Sequence, residues 1–156
     1  LGVGFVAFSP VGRGFLAGGG HDPAAYGEGD MRKGMPRFQG DALSANLALY
    51  ARFAAIAEDA GCTPAQLCLA WLLAKGDDIV SIPGTSSPAH MVENAGAAGV
   101  ALPDAIIARV DAEVNGATVT GSRYAAMMQA SVSTAPVPPM IWPCIALVDE
   151  IISWSA

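Results

Sequence analysis

Two short apolar runs constrain the fold of this chain more than any other feature. They are "GVGFVAF" (2–8) and "DIVSIP" (78–83), and in the first run nearly every residue is apolar rather than every second one. Continuous apolarity over so few residues is typical of strands that are buried in a parallel sheet covered by helices. Two segments with helical spacing lie between the runs, and two more follow. This order predicts an α/β fold with parallel strands.

The two segments between the runs have the apolar spacing and the end signals of helices. The first is predicted over 44–61, with Ser44 as N-cap and Gly61 just past its end. Its inner face is predicted to be Leu47, Tyr50, Ala51, Ala54 and Ala57. The long Gly- and Pro-rich stretch before it, 9–41, is predicted to be a loop, and loops of that length are usually functional or disordered.

The second helix is predicted over 63–76, with Thr63 as its cap, Pro64 in its first turn and Gly76 at its end. Its buried stripe is predicted to be Leu67, Ala70, Trp71 and Ala74.

Two further helices are predicted after the second apolar run. One begins with Ser87 as N-cap and Pro88 at the first helical position. The other follows Leu102, and its inner face is predicted to be Ile106, Ile107 and Val110. The stretch 123–132 has a weaker helical pattern.

The bulk composition excludes several classes of protein. The chain has 156 residues, 53% hydrophobic and 14% charged, with a net charge of −6. That length suffices for one domain with a real core. The eight Lys and Arg residues form no basic stripe, so we expect no nucleic-acid partner. The apolar run near the C-terminus is too short and too broken for a membrane span, so we expect no membrane partner.

The cysteines and the start of the chain bear on its location. Three cysteines form no disulfide framework, and no grouping of Cys, His and acidic residues has the spacing of metal ligands. The chain begins with Leu1 and has no basic leader, so we expect a cytoplasmic protein without a signal peptide. A start at Leu1 is also compatible with the loss of the N-terminal part of a longer protein.

Small polar residues follow both predicted strands. Gly84, Thr85, Ser86 and Ser87 stand between the second strand and a helix, where unpaired amide groups favour an anion such as phosphate. Ser9, Gly12, Arg13 and Gly14 follow the first strand, and Arg13 is able to pair with a phosphate. Each stretch taken alone is more simply a capped helix or a glycine-rich connection. Because ligands of α/β folds gather at the carboxyl ends of the strands, two such junctions favour a shared ligand site.

The two histidines and one polar pair have open interpretations. His21 and His90 are each expected to be a surface or ligand-contacting residue rather than a catalytic base. Glu93 and Asn94 lie one turn into the third predicted helix, where they either face the junction or form a surface pair.

Four stretches, "GFVAFSPVGRGFLAGG", "PRFQGDALSANLAL", "CTPAQLCLAWLLAKGDDIVSIPGTSSPAHMVENAGA" and "GSRYAAMM", resemble the C-terminal part of bacterial aldo-keto reductases. The resemblance covers about residues 1–132 and implies the C-terminal part of a (β/α)8 TIM barrel, with 1–8 as strand seven and 79–82 as strand eight. The segment 133–156, Pro-rich and then apolar, does not resemble the family and is expected to be an unrelated tail.

The resemblance also implies an NADP(H) site. Phe8 matches the aromatic residue that stacks on the nicotinamide. Ser9, Val11, Gly12 and Arg13 match the loop over the pyrophosphate. The adenosine end matches Gly84, Thr85, Ser86, Ser87, His90, Glu93 and Asn94. Many relatives have Lys or Arg at positions 86, 87 or 90, and neutral donors hold a 2′-phosphate less tightly, so NAD(H) stays an alternative cofactor.

The activity implied is hydride transfer between the nicotinamide and a small carbonyl or alcohol substrate. The family's tetrad of Asp, Tyr, Lys and His belongs to the N-terminal half of the barrel, and no residue of this chain matches it, so no catalytic residue is assigned. Two alternatives are a non-catalytic NADP-binding module, like family members that regulate ion channels, and an inactive fragment. A partial barrel would expose sheet edges and apolar faces, which predicts marginal stability or aggregation.

Overall fold

The computed structural model of the chain describes residues 4–129. The strands are β1 (Phe5–Phe8) and β2 (Ile79–Ile82). The helices are α1 (Gly40–Asp59), α2 (Pro64–Leu73), α3 (Pro88–Gly96), α4 (Asp104–Glu113) and α5 (Ala126–Gln129). The predicted tail 133–156 lies outside the described residues.

The two strands pair in parallel, as predicted. The pairing runs from Phe5 opposite Ile79 to Phe8 opposite Ile82, and these strands form a two-stranded sheet in the described part of the chain. With α1 and α2 between the strands and α3 and α4 after them, the chain is a helix-rich α/β structure.

Within residues 4–129, helices cover one face of this sheet and not the other. Alternate residues of a strand point to opposite faces, so Phe5, Ala7, Ile79 and Ser81 share one face, where Ala7 is fully buried. Val6, Phe8, Val80 and Ile82 share the other, which we call the open sheet face. Its residues Val6, Val80 and Ile82 are 58%, 55% and 50% exposed. The expectation of strands buried on both faces is therefore wrong within residues 4–129, where helices cover one side only.

Helix α1 begins earlier than predicted. Its N-cap is Gln39 and its first residue is Gly40, so Ser44 is not the cap. The Ser44 hydroxyl instead donates to the carbonyl of Gly40, inside the first turn. The predicted end is confirmed, because Gly61 follows the C-cap residue with a left-handed φ of 68°.

The buried face of α1 is rotated from the predicted one. The buried residues are Leu43, Asn46, Leu49, Phe53, Ile56 and Ala57. Of the predicted face only Ala57 is buried, while Leu47 and Tyr50 pack at its flank. The many alanines of α1 give several of its faces a similar apolar spacing, which is why the sequence predicted the wrong face. Burying Phe53 and Ile56 removes more apolar area from water than burying Ala51 and Ala54, so the observed face is favoured.

Helix α2 lies at the centre of the core. Thr63 caps it as predicted, and Gln66 completes a reciprocal capping box with both hydrogen bonds at 3.2 Å. Leu67, Ala70 and Trp71 are buried as predicted. Ala74 is exposed instead, because the helix ends at Leu73, before the predicted stop at Gly76.

The later helices follow the prediction closely. Ser87 and Pro88 start α3 in the predicted roles, and Ile106 and Val110 of α4 are buried. The weak pattern at 123–132 forms helix only over the four residues of α5 within the described part.

The Gly- and Pro-rich stretch 9–39 is ordered by four short 3₁₀ turns rather than being a free loop. Its Phe15 ring packs edge-on against Phe38 at 5.7 Å and Tyr50 at 6.1 Å between ring centroids. This stretch therefore forms one wall of the core, and we call residues 9–39 the Gly-rich wall. In the part of the chain that the structure describes, no helix has the length and apolarity needed to cross a membrane.

Candidate functional site

The parallel register brings the two polar junctions to one edge of the sheet. Phe8 pairs with Ile82 at the last position of both strands, so Ser9 and Pro83 leave the sheet side by side. Neighbouring strands lie about 4.8 Å apart. The first junction (9–14) and the second junction (83–87) therefore begin within reach of a single ligand.

The first junction is a tight turn with an unusual backbone. Ser9, Gly12, Arg13 and Gly14 have positive φ values of 50°, 58°, 57° and 89°. A left-handed conformation is uncommon for a bulky residue such as Arg13, and such strain concentrates at binding sites. The amides of Gly12 and Gly14 donate to the carbonyls of Ser9 and Val11 within the turn. These two amides are therefore engaged within the turn, while Ser9 and Arg13 add a hydroxyl and a cation to it.

The first junction is fastened to the core at two points. Pro10 is fully buried, and its carbonyl accepts a hydrogen bond from the Cys68 thiol at 2.9 Å. Leu16, just beyond the turn, is also fully buried. Helix α2 thereby holds the turn in place beside the sheet edge.

The second junction opens into helix α3 through a chain of short-range caps. The Thr85 hydroxyl oxygen accepts from the amide of Ser87 at 3.1 Å, and the Ser87 hydroxyl oxygen accepts from the amide of His90 at 3.4 Å. The His90 amide is therefore not one of the unpaired amide groups expected at the start of this helix, although its bond to Ser87 is long and weak. Thr85, Ser86 and His90 are exposed.

Gly84 leaves space beside the second junction. A Cβ atom placed there would meet no other atom within 4 Å, so the protein's own packing does not require glycine. The bare backbone is therefore open to a ligand. Glu93 and Asn94 share a helix face with His90 by their spacing, and both are partly buried.

The charges of the two junctions differ. The sequence between Lys75 and Arg109 has no Lys or Arg, so the second junction offers hydroxyl groups and His90 only. The first junction supplies Arg13. A small cavity of about 30 Å³ lies beside it, lined by Gly12, Arg13, Arg37 and Asn46 together with apolar side chains.

One residue that the sequence did not assign, Arg123, lies against Phe8. The Arg123 guanidinium lies over the Phe8 ring, with its carbon 4.6 Å from the ring centroid, and 5.6 Å from the centroid of Tyr124. The guanidinium carbon of Arg13 also lies near Tyr124, 5.1 Å from the centroid of that ring. Cations and aromatic rings thus alternate from Phe8 to Arg13.

A clamp on α1 holds the segment that carries Arg123. The Asn46 side chain donates to the carbonyls of Thr120 at 2.9 Å and Arg37 at 3.1 Å, and it accepts from the Thr120 amide at 2.9 Å. The Arg37 side chain donates to the carbonyl of Gly121 at 3.0 Å. The sequence carried no local signal for this clamp, because its partners are 74 and 84 positions apart.

The His21 ring is half-buried. It packs on Phe15 and Tyr50, with centroid distances of 4.6 and 4.4 Å, and its Nε2 lies 2.9 Å from the Phe15 carbonyl oxygen. These contacts make His21 part of the wall of the core.

An ion pair between Asp30 and Arg32 lies within the Gly-rich wall. Arg32 donates to both carboxylate oxygens of Asp30, and its guanidinium carbon lies 4.7 Å from the Tyr26 ring centroid. The hydrogen bonds from Arg32 lower the pKa of Asp30 to about 2. Burial is the main reason that the pKa of the Tyr26 hydroxyl is raised.

Residues 4–129 contain no group of three or more His, Cys, Asp or Glu side chains arranged to hold a metal ion. Burial raises the pKa of the Cys62 thiol.

The described residues form an α/β structure in which polar residues gather at the carboxyl ends of two parallel strands. The model of the Aldo/keto reductase family matches residues 1–115. A curated relative, the aldo-keto reductase yakc [NADP(+)] of Schizosaccharomyces pombe, is 42% identical over 135 residues. The match covers 85% of this chain and 40% of the relative, so the chain spans well under half the relative's length. The chain belongs to the aldo/keto reductase family, which confirms the resemblance found in the sequence.

Proposed function

We propose that this chain is the cofactor-binding part of an NADP(H)-dependent aldo/keto reductase. The observation that carries the proposal is the shared sheet edge, where Phe8 and Ile82 end in register and both polar junctions begin. The relative at 42% identity is named as an NADP(+) enzyme, which supports the same cofactor here.

The residues at this edge fit the parts of a dinucleotide. Phe8 offers an aromatic ring for the nicotinamide, and Ser9 and Arg13 offer a hydroxyl and a cation for the pyrophosphate, with Val11 and Gly12 completing the turn. At the second junction, Thr85, Ser86 and Ser87 offer hydroxyl donors beside the open backbone of Gly84. His90, Glu93 and Asn94 follow on one face of α3 and would contact the adenosine. The 2′-phosphate would meet no Lys or Arg side chain of α3 or of the second junction.

The fold supports the position that we assign to the chain within a barrel. Strands seven and eight of a TIM barrel are parallel, are joined through helices and have one face turned to the barrel interior. Here β1 and β2 are parallel, with α1 and α2 between them, and their open sheet face is apolar. In this proposal, residues 1–132 form the C-terminal part of the barrel domain, and residues 133–156 are a separate tail.

In the reaction, a bound NADPH would supply the hydride for reduction of a small carbonyl compound. This chain's residues would bind and orient the cofactor, since Phe8 is placed to support one face of a flat ring. The proton for the carbonyl oxygen is assigned to no residue of this chain.

The test is a titration of the 156-residue chain with NADPH and NADH, followed by nicotinamide fluorescence and by thermal unfolding. Saturable binding with a raised midpoint of unfolding is the expected result. The Arg13→Met variant should bind both cofactors roughly 5- to 50-fold more weakly, because it loses a charge-assisted contact. The control, Arg109→Met, removes an exposed arginine of α4 that pairs with Asp59, and it should bind as the wild type does.

A wild-type chain that melts cooperatively but binds neither cofactor contradicts the proposal. Cofactor binding without turnover of any carbonyl substrate in the longer protein would instead favour the alternative of a non-catalytic NADP-binding module.

A further inference from the structure

Arg123 is an arginine in an unusual place. Only 1% of its surface is exposed, although arginine is among the residues that are rarely buried. Its guanidinium lies over the ring of Phe8 and near that of Tyr124, with carbon-to-centroid distances of 4.6 and 5.6 Å. A cation within about 6 Å of a ring centroid is attracted to the face of the ring, and more strongly where water is excluded.

Several contacts hold the backbone just before Arg123 in place. Asn46, itself buried, holds Thr120 through both its backbone groups, and Arg37 holds the carbonyl of Gly121. Gly121 has a φ of 88°, and a Cβ there would lie 3.2 Å from atoms of Ala42, Arg37 and Pro36. The segment therefore lies tight against α1, with Arg123 two residues beyond the contact.

The position of Phe8 explains what the contact can do. Phe8 is the last residue of β1 and belongs to the open sheet face, where Val6, Val80 and Ile82 are half exposed or more. No residue follows Phe8 in its strand, so β1 restrains its ring from one side only. A guanidinium against one face of the ring limits its rotation and leaves the rest of its surface, which is partly exposed, for a ligand.

We infer that Arg123 is a positioning residue for the nicotinamide: it holds the Phe8 ring in the orientation against which the nicotinamide packs. This inference rests on the proposed function, since it takes Phe8 as the support of the nicotinamide. It gives the segment 120–124 a role in the site that neither junction supplies. The adenosine half of the ligand, at the second junction, is not affected by Arg123.

The test compares two ligands that differ in the nicotinamide half. NADPH contains it, whereas 2′,5′-ADP keeps only the adenosine with its 2′-phosphate and its 5′-phosphate. The variants are Arg123→Met, which keeps most of the volume without the cation, Arg123→Lys, which keeps a cation, and Phe8→Leu. Dissociation constants are measured on the 156-residue chain by calorimetry, with Arg109→Met as the control.

The expected result is a loss specific to the nicotinamide. Arg123→Met should weaken NADPH binding roughly 3- to 20-fold and leave 2′,5′-ADP binding within about 2-fold. Arg123→Lys should restore part of the NADPH affinity. The double variant Phe8→Leu with Arg123→Met should lose no more than Phe8→Leu alone, because the two residues act as a unit.

Other outcomes overturn the inference in distinguishable ways. Equal weakening of both ligands means that Arg123 only supports the fold, and no weakening means that Phe8 needs no support. If Arg123→Met does not fold, Phe8→Leu and Arg123→Lys decide, and an unchanged NADPH affinity in both rejects the inference. A wild-type chain that binds neither ligand rejects the proposed function and this inference with it. If the wild-type chain binds NADPH no more tightly than 2′,5′-ADP, the nicotinamide half adds no affinity. That outcome keeps the adenosine site and rejects only the role given to Phe8 and Arg123.

Discussion

Asn46 and Thr120 face each other across 74 positions of sequence and exchange two hydrogen bonds of 2.9 Å. The side-chain amide group of Asn46 donates to the Thr120 carbonyl and accepts from the Thr120 amide, much as the backbone of a neighbouring strand would. A third bond, from Asn46 to the carbonyl of Arg37, joins the Gly-rich wall to the same point. One buried side chain thus ties three separate segments of the chain together.

Removing this side chain should destabilise the protein strongly. In Asn46→Ala the Thr120 amide and two carbonyls, all in part-buried contacts, lose their partner. Each such group costs up to about 1–3 kcal/mol where water does not replace the partner. We expect a loss of about 2–4 kcal/mol in the free energy of unfolding, measured with urea.

The matched control for Asn46→Ala is Ser44→Ala in the same helix. Ser44 is exposed and donates only within the first turn, so a loss below about 0.5 kcal/mol is expected. Equal losses in the two variants would show that the clamp adds nothing beyond helix formation.

Adding a cation to the second junction should change the cofactor preference. Ser86 is exposed beside the first turn of α3, in a stretch without Lys or Arg. In Ser86→Arg a guanidinium can pair with a 2′-phosphate, so NADPH should bind roughly 10-fold more tightly while NADH binding stays the same.

Ala98→Arg is the control for added charge, since Ala98 is exposed beyond the end of α3. Dissociation constants of both cofactors are measured for both variants. If Ala98→Arg gains as much as Ser86→Arg, the effect is one of overall charge and the second junction is not the 2′-phosphate site.

Acid should weaken the Gly-rich wall at Asp30. Its pKa in the folded protein is about 2, against an ordinary value of 3.8, because Arg32 donates hydrogen bonds to the carboxylate. A lowered pKa means that the carboxylate stabilises the fold above its ordinary pKa. That contribution is lost as the pH falls from about 3.8 towards 2.

Asp30→Asn should therefore reduce the pH dependence of the free energy of unfolding between pH 4 and about 2. The measurement is urea unfolding at several pH values. Asp77→Asn, in an exposed turn, is the control and should keep the wild-type slope. A wild-type slope in Asp30→Asn as well would show that the ion pair with Arg32 does not form in solution.

The open sheet face should promote self-association. Val6 and Val80 stand opposite each other in the register, each more than half exposed. The double variant Val6→Thr, Val80→Thr keeps β-branched side chains and lowers the apolar area, so it should shift sedimentation towards the monomer.

Val92→Thr is the matched control, because Val92 is 68% exposed and belongs to α3 rather than to the sheet. It should sediment as the wild type does. Equal behaviour of the double variant and the wild type would mean that another surface causes any association.

Local signals explain what the sequence predicted well. Thr63 and Ser87 are caps whose partners lie three residues away, so the starts of α2 and α3 could be predicted. The apolar runs around β1 and β2 located both strands, and their polar ends located the two junctions. The start of α1 was missed because its cap, Gln39, makes no side-chain hydrogen bond to the helix.

Long-range pairing explains what the sequence did not show. Arg123 is typical of a surface residue by type, and only the fold brings it over Phe8. The clamp at Asn46 depends on the packing of α1 in the same way. The rotated face of α1 had a different cause, since its many alanines gave several faces a similar apolar content.

The parallel pairing of β1 and β2 has a consequence for the order of folding. Phe5 and Ile79 meet only after the intervening chain, with α1 and α2, has folded back on itself, and contacts of such separation form late. The two junctions come together in that same late step. Binding at the sheet edge would therefore select the fully folded molecule, and hydrogen exchange should show the strand amides closing last and opening first.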